Sequence, residues 1–281
     1  MEISSEKPEA LMLQCVPRCV STAFGMYFMG RPDTHYVHER LARLQHFEEL
    51  QHHSPEPKIK TAADMRNLIA AELQHPELLL PTDHPSIDAL RLIFRKEMSY
   101  YLFAGNGKPI VPLSALHNHQ HAFMTRDPAR ALASHYQKDN QFTWHEAGYE
   151  SQVRMYRWAQ QETGEDPVVV DAGDFTANPD DTMSQFCSHL GLRHDSAYLE
   201  WEPPVDAKEL KIWAHGKWHK EVEKSTGIHK SHEKKLDITA LPQRVINMIE
   251  RARDLYEEVL SSSNRIRPKT SAKAAPSESI V

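Results

Sequence analysis

The sequence predicts an α/β fold, a parallel β-sheet flanked by helices, and three observations predict it. Short apolar runs alternate with segments of helical spacing along most of the chain, the order that builds strand–helix–strand crossovers of one hand. Val168-Val-Val-Asp171 is a continuous β-branched run, as expected of a strand covered on both faces. Leu11-Met-Leu-Gln-Cys-Val-Pro17 ends in a tight polar loop, and Ala23, Phe24, Met26, Tyr27 and Phe28 resume at once as a helix. The 281 residues are enough for one large domain of this kind with a substantial core.

Residues 1–10 are a lead-in, and the first strand spans about 11–16. The loop passes into a helix that runs to about Gly30, and Arg31-Pro-Asp-Thr34 turns the chain. Thr34 to Val37 is a short second strand that delivers His38 and Glu39 at its carboxyl end. Leu41, Leu44, Phe47 and Leu50 recur at helical spacing until Ser54-Pro-Glu-Pro57 breaks the pattern. Thr61 caps a helix to about Gln74, with Met65, Leu68, Ile69 and Leu73 on one face. A loop-like stretch over 76–85 and a helical turn at 86–90 lead into a third strand from Arg91 to Lys96. Ser99 to Phe103 starts a helix that Gly105-Asn-Gly107 stops. The next strand, His121 to Thr125, ends at Arg126-Asp-Pro128. Pro128 suits the first turn of a helix to about Gln137, because that position needs no N–H.

A longer helix follows at about 150–162, and the strand over 168–171 comes after it. Asn178 opens another helix, with Met183, Phe186, Cys187 and Leu190 at helical spacing and Gly191 at its end. Residues 200–238 carry Trp201, Trp213 and Trp218 among many charges and read as a mobile segment with helical parts. A final helix spans about 240–260. The single domain thus closes at about 260, and the Ser-, Pro-, Lys- and Ala-rich stretch 261–281 reads as a disordered tail.

Composition narrows the function. Apolar residues make up 40% and charged residues 26%, ordinary for a soluble globular protein. A formal charge of −6 argues against general nucleic-acid binding. No run of about 18 apolar residues suggests a membrane span, and MEISSEKPEA lacks the basic flank and apolar centre of a signal peptide. Cys15, Cys19 and Cys187 show no metal-ligand spacing, and reduced thiols in a cytoplasmic protein fit best. His117, His119 and His121 would share one face of a strand, but no carboxylate or Cys accompanies them, and solvated loop histidines are the simpler reading; no metal is expected.

Candidate site residues follow from the strand ends, because ligands of an open parallel sheet sit beyond the carboxyl ends of its strands. Those ends are Arg18, His38-Glu39, Lys96-Glu97, Arg126 and Asp171, and the first four carry a basic residue within a net acidic protein. One crevice would therefore concentrate positive charge and suit an anion with more than one phosphate-like group. A strand–loop–helix turn at 11–28 aims backbone N–H groups at such an anion, and Ser21 and Thr22 stand where the helix wants its N-cap. An ordinary capped βα turn is the plainer alternative. The Walker A pattern is absent.

These residues resemble a family. Pro17-Arg-Cys-Val-Ser-Thr22 is similar to the 5′-phosphosulfate loop of sulfotransferases, in which proline and a basic residue precede Ser, Gly and two hydroxyl residues. Phe123-Met-Thr-Arg-Asp-Pro-Ala-Arg-Ala-Leu-Ala-Ser134 resembles the family's 3′-phosphate element, an Arg ending a strand and a Ser on the following helix. Val169-Val-Asp-Ala-Gly-Asp-Phe-Thr-Ala-Asn-Pro179 and Phe186-Cys-Ser-His-Leu-Gly-Leu192 are similar to its later strand, turn and helix end. Val37-His-Glu39, Arg95-Lys-Glu-Met98, and Trp218 with Ser225-Thr-Gly-Ile228 resemble elements of stand-alone bacterial and fungal members.

The resemblance implies a P-loop NTPase-like sulfotransferase fold and the donor 3′-phosphoadenosine-5′-phosphosulfate, with a small-molecule hydroxyl or amine as acceptor. Carried over, Arg18, Ser21 and Thr22, with loop N–H groups from Cys19 and Val20, hold the 5′-phosphosulfate. Arg126 and Ser134 hold the 3′-phosphate, and Ser225, Thr226 and Gly227 complete the donor site. Glu39 is the first candidate base and His38 the next, only one of them facing the crevice because side chains alternate along a strand. Lys96 would assist the leaving group, and Glu97 is a lesser base candidate. The chain departs from the pattern at Cys19, at Val20 where the family has Gly, at Arg18 where Lys is commoner, and at Gly173. A different reaction or acidic ligand on this fold, and a non-catalytic binding protein, are the alternative readings. Monomer and homodimer stay open.

Overall fold

Five of the apolar runs become strands: β1 (Glu9–Cys15), β2 (Thr34–His38), β3 (Leu92–Met98), β4 (Gln120–Thr125) and β5 (Val168–Asp171). In the computed structural model, which describes residues 8–53, 56, 58–80, 89–202, 218–228 and 236–269, they form one parallel sheet in the order β2-β3-β1-β4-β5. The central β1 lies between β3 and β4, with Cys15 opposite both Met98 and Met124. All carboxyl ends therefore open on the same edge of the sheet.

Alternation divides each strand between two cores. Leu11, Leu13 and Cys15 pack with Phe94, Val168 and Val170 on one face, covered by α1 (Ser21–Met29) through Phe24 and Phe28. Met12, Phe123 and Val169 face the other way, toward α3 (Ala62–Gln74) with Met65, Ile69 and Leu73. Thr61 caps α3 as the sequence implies, in a reciprocal box with Asp64. The remaining helices are α2 (Phe47–His53), α4 (Pro128–Lys138), α5 (Trp144–Ala147), α6 (Tyr149–Thr163), α7 (Ala172–Ala177), α8 (Pro179–His189), α9 (Lys220–Lys224) and α10 (Gln243–Leu260). Asp127 caps α4 through a bond from the Arg130 N–H, with Pro128 in its first turn. Among the described residues no helix is long and apolar enough to cross a membrane.

Several expectations need correction. The segments 40–44 and 99–102 form short 3-10 turns where α-helix was expected. Asp171 ends β5 and starts α7 at once by accepting from the Gly173 and Asp174 N–H groups, a helix without its own apolar period. The disordered tail does not begin at 261: Ser262 and Ile266 are buried, and the Ile266 N–H donates to the Val169 carbonyl at 2.8 Å, so 261–269 packs beside β5. Residues 270–281 of the expected tail, 203–217 with Trp213 and 229–235 of the segment expected to be mobile, and 86–88 of the expected helical turn lie outside the described residues.

Candidate functional site

The loop Val16–Val20 leaves β1 in an unusual backbone. Arg18 has φ 63° and Val20 φ 66°, both in the left-handed region that L-residues avoid at a cost of about 1–2 kcal/mol each. Val20 occupies the place where the resembled pattern has glycine, and the backbone adopts the glycine conformation all the same. Val20, not Ser21 or Thr22, is the N-cap of α1, and no side chain caps the helix. Ser21 and Thr22 therefore fall in the first turn, and the helix end has no acidic residue, an arrangement that favours an anion. Gly148 lets the loop sit low: a Cβ there would stand 2.9 Å from Pro17 Cδ.

Two arginines converge on this loop. Arg18 Nε donates to Ser134 Oγ at 3.1 Å, across 116 positions of sequence. Arg126 Nη1 donates to the Arg18 carbonyl at 2.8 Å. The end of β4, the first turns of α4 and the β1 loop are thus joined through the residues that the sequence singles out. Burial and the nearby Arg126 charge lower the pKa of Arg18.

On the other side, Glu39 follows β2 with φ 47° and turns back toward β3. Its N–H donates to the Lys96 carbonyl at 2.8 Å, its Oε1 is ion-paired with Lys96 Nζ, and its Oε2 accepts from Tyr101 at 3.2 Å. Burial opposes ionisation, but Lys96 and two nearby imidazoles hold the Glu39 carboxyl well below the usual carboxylate range. Glu39 lines the cavity and His38 does not, as the alternation implies, but the left-handed turn still brings the two side chains together. His38 Nε2 lies 3.6 Å from Glu39 Oε1, so both side chains join one cluster.

The sequence reading missed the fourth member, His219, which no local pattern marks. It follows Trp218, whose carbonyl accepts from Arg18 Nη1 at 3.3 Å, and whose ring lies 5.9 Å from the Arg18 guanidinium. His219 places Nδ1 3.4 Å from Thr22 Oγ1 and Nε2 3.3 Å from His38 Nε2. His38 Nδ1 in turn meets the Tyr36 hydroxyl at 2.8 Å. Burial lowers His219 to about 4, with Glu39 opposing and Lys96 and Arg18 reinforcing. Burial likewise drives His38 well below its ordinary value. Both imidazoles are neutral near pH 7.

A cavity of about 390 Å³ opens above these groups, lined by Arg18, Val20, Ser21, Thr22, Glu39 and Arg126, with Trp218 and His219 closing one side. That is the size of a small-molecule site. Ser134 reaches it through Arg18. His38 and Lys96 lie beneath the lining, fully buried. Cys19 points into the core; burial resists its ionisation, but hydrogen bonds from Cys15 and Ser21 and the Lys96 charge bring it down to about 7.

Other expected residues stand elsewhere. Ser225, Thr226 and Gly227 do not line the cavity: Ser225 Oγ bonds the Val222 carbonyl, and the Thr226 carbonyl and Gly227 join the backbone at Glu200–Trp201. Glu97 is fully buried, accepting from Arg95 at 3.2 Å and from the Leu41 N–H at 3.0 Å. His117 pairs with Glu162 at 2.7 Å and stacks on Trp158. His38, Glu39 and His219 have the donor types of a metal site within 4.8 Å of one another. The Lys96 ammonium, however, already holds the carboxylate oxygen that a cation would need.

An uncapped helix start and two arginines at the carboxyl edge of a parallel α/β sheet form an arrangement suited to a phosphate- or sulfate-like anion. The family model described as a sulfotransferase domain matches residues 11–242, and the chain belongs to that family. Branched-chain-amino-acid aminotransferase-like protein 2 of Arabidopsis thaliana is 28% identical over 118 residues, 42% of this chain and 20% of that protein. The chain spans between a fifth and a quarter of the length of the curated relatives it matches. The sulfotransferase domain from the Synechococcus PCC 7002 olefin synthase is 16% identical with a TM-score of 0.49, covering 89% of this chain and 97% of that one. The sulfotransferase from Alicyclobacillus acidocaldarius is 13% identical with a TM-score of 0.48, covering 92% and 97%.

Proposed function

We propose that the protein transfers a sulfuryl group from 3′-phosphoadenosine-5′-phosphosulfate to a hydroxyl or amine of a small-molecule acceptor. Beside the family membership, one observation carries the reading. Arg18 and Arg126, ends of two different strands, are tied to each other and to Ser134 at the uncapped start of α1. The first-turn N–H groups, Arg18, Ser21 and Thr22 suit a 5′-phosphosulfate, and Arg126 with Ser134 suits a 3′-phosphate; guanidinium binds such groups in a bidentate fork. The donor supplies an electrophilic sulfur and a bisphosphate leaving group.

Glu39 is tied to Lys96 and is a poor proton acceptor. His219, neutral and lining the cavity beside Thr22, takes the acceptor proton in this reading. Glu39 then stabilises the imidazolium, His38 orients the ring, and Lys96 acts by holding Glu39 in place. The three free buried thiols support a reducing, cytoplasmic setting. The reading needs no metal, nucleic acid or membrane, and sedimentation decides between monomer and homodimer. A binding protein without transfer is the second reading, and Val20 favours it, because its isopropyl group lines the cavity where a phosphate must approach the backbone.

Calorimetry with adenosine 3′,5′-bisphosphate, then transfer of labelled sulfate to hydroxyl and amine acceptors, tests both. Bisphosphate at about a hundred times its Kd should raise stability by about 2.7 kcal/mol. Binding without transfer selects the second reading, and absence of binding to folded protein removes both.

A further inference from the structure

The cavity has a second wall with a chemistry opposite to that of the loop. Glu49, Asp139 and Glu146 line it together with Tyr100 and Tyr101. Glu49 and Glu146 both act on His46, and Glu146 and Asp139 both act on Tyr100, as Glu39 does on each from the loop side, which places the three carboxylates beside these two rings. Among the described residues, no Lys or Arg stands within salt-bridge distance of any of the three. Burial lowers the pKa of His46 and of the adjoining His145, so neither imidazole offsets them near pH 7. Tyr100 and Tyr101 are buried with ring centroids 4.4 Å apart and tilted by 50°. Glu146 uses one oxygen, Oε2, to cap its own helix, and Asp139 uses Oδ1 on the Gln141 N–H, which fixes both carboxylates in place.

An anionic acceptor would meet three carboxylates here, whereas a cation gains both their charge and the tyrosine faces. We propose that the acceptor is a small ammonium-bearing alcohol, its cation held at Glu49, Asp139 and Glu146 against the tyrosines and its hydroxyl presented to the loop. The inference rests on the sulfuryl-transfer reading and chooses between the two nucleophiles that reading allows. An ammonium nitrogen has no free lone pair, so the hydroxyl oxygen bonds to sulfur while the bond from sulfur to the 5′-phosphate oxygen breaks. The hydroxyl proton passes to His219, and the products are a zwitterionic sulfate ester and adenosine 3′,5′-bisphosphate.

The test measures binding by calorimetry to the bisphosphate-loaded protein. The probes are choline and its longer-spacer homologues, their neutral carbon isosteres such as 3,3-dimethylbutan-1-ol, and hydroxy acids of matching length. Ammonium alcohols should bind at least about tenfold more tightly than their isosteres, and hydroxy acids more weakly than either. Added salt should shrink that preference, and so should the double substitution Glu49→Gln with Glu146→Gln, in which the new amide oxygen still completes the helix cap. Retained bisphosphate binding shows that the variant is folded. Equal binding of cation and isostere, or no ammonium alcohol bound at about 10 mM, overturns the inference. Failure of the bisphosphate itself to bind removes the donor reading instead, and the cation-to-isostere ratio on the free protein then still decides the wall.

Discussion

Acid should loosen the cap that His219 places on the site. In place the ring titrates at about 4, against 6.5 for an ordinary imidazole. Burial is the main cause, with Lys96 and Arg18 adding to it and Glu39 pulling the other way. As pH falls, the released ring gains its proton first, so the docked arrangement loses stability between the two values. At about pH 5 the loss relative to about pH 8 is about 2 kcal/mol, and the whole gap amounts to about 3 kcal/mol. Glu97 acts with the opposite sign over part of the same range. Burial, against Arg95 and the Leu41 N–H, pushes it up to about 7, so its contribution falls as pH rises from 4.5 toward that value. His38, His119 and His121, likewise held below the ordinary imidazole value by burial, act with the sign of His219, and His219→Gln isolates the share of His219. Urea unfolding of both proteins from about pH 8 to about pH 5 should show the wild type losing about 2 kcal/mol more than the variant. Amide exchange over 220–224, corrected for intrinsic rates, should accelerate in the wild type over the same interval. Parallel pH curves for the two proteins refute a buried, proton-free His219.

Arg126→Ala removes both a guanidinium from the cavity and the bond to the Arg18 carbonyl; bisphosphate affinity measured by calorimetry should fall about 10- to 100-fold, and an unchanged Kd removes Arg126 from the donor site. Val20→Gly relieves left-handed strain of about 1–2 kcal/mol but loses a half-buried isopropyl group worth a similar amount, so urea unfolding should move by less than about 1 kcal/mol while bisphosphate binds more tightly; weaker binding would contradict the crowding argued above. Gly25→Ala puts a Cβ 2.5 Å from the Tyr36 hydroxyl that holds His38; it should cost about 1–3 kcal/mol in thermal unfolding, and Tyr36→Phe on the same background should restore part of the loss. Lys96→Met leaves Glu39 charged and buried, and a loss of about 3–5 kcal/mol in urea unfolding is expected; a loss below about 1 kcal/mol would show that Tyr101 alone satisfies the carboxylate.

Much of the fold was legible because its signals are local. The β-branched run Val168–Asp171, Thr61 with its helix and Pro128 after Arg126 each carry their own geometry, and each element appears where expected. Arg18 and Arg126 were legible as strand-end residues, because a parallel sheet brings all carboxyl ends to one edge, whereas Ser134, inside a helix, was marked only by the family resemblance. His219 was not. Its partners Thr22 and His38 lie 197 and 181 residues away, and no periodicity or spacing encodes a contact of that range. Ser225, Thr226 and Gly227 follow Trp218 closely in sequence, but the chain turns away through α9 and pairs with Glu200–Trp201, a contact that nothing in their local pattern marks. Of His38 and Glu39 only the second lines the cavity, as alternation implies, but the left-handed backbone at Glu39 that brings the two together has no sequence signal.

The three non-glycine residues with positive φ among those described, Arg18, Val20 and Glu39, all line the cavity. At about 1–2 kcal/mol each they are a large fraction of the 5–15 kcal/mol that holds an ordinary domain, so each needs a compensating clamp. Glu39 has Lys96 and Tyr101. Arg18 has Ser134 and the Trp218 carbonyl on its side chain and Arg126 on its own carbonyl. Val20 has only the Phe24 N–H on its carbonyl and its packing against the core. In the free protein, then, the groups suited to grip a 3′-phosphate are the ones holding the loop. A bound bisphosphate would exchange those hydrogen bonds rather than add to them, so little of its affinity can come from their number. The gain must come from charge: Arg18 and Arg126 stand close enough for Arg126 to lower the pKa of Arg18, and an anion between them turns that repulsion into attraction. The loop is strained and its charges are frustrated in the same place, and one ligand relieves the second while leaving the first in position.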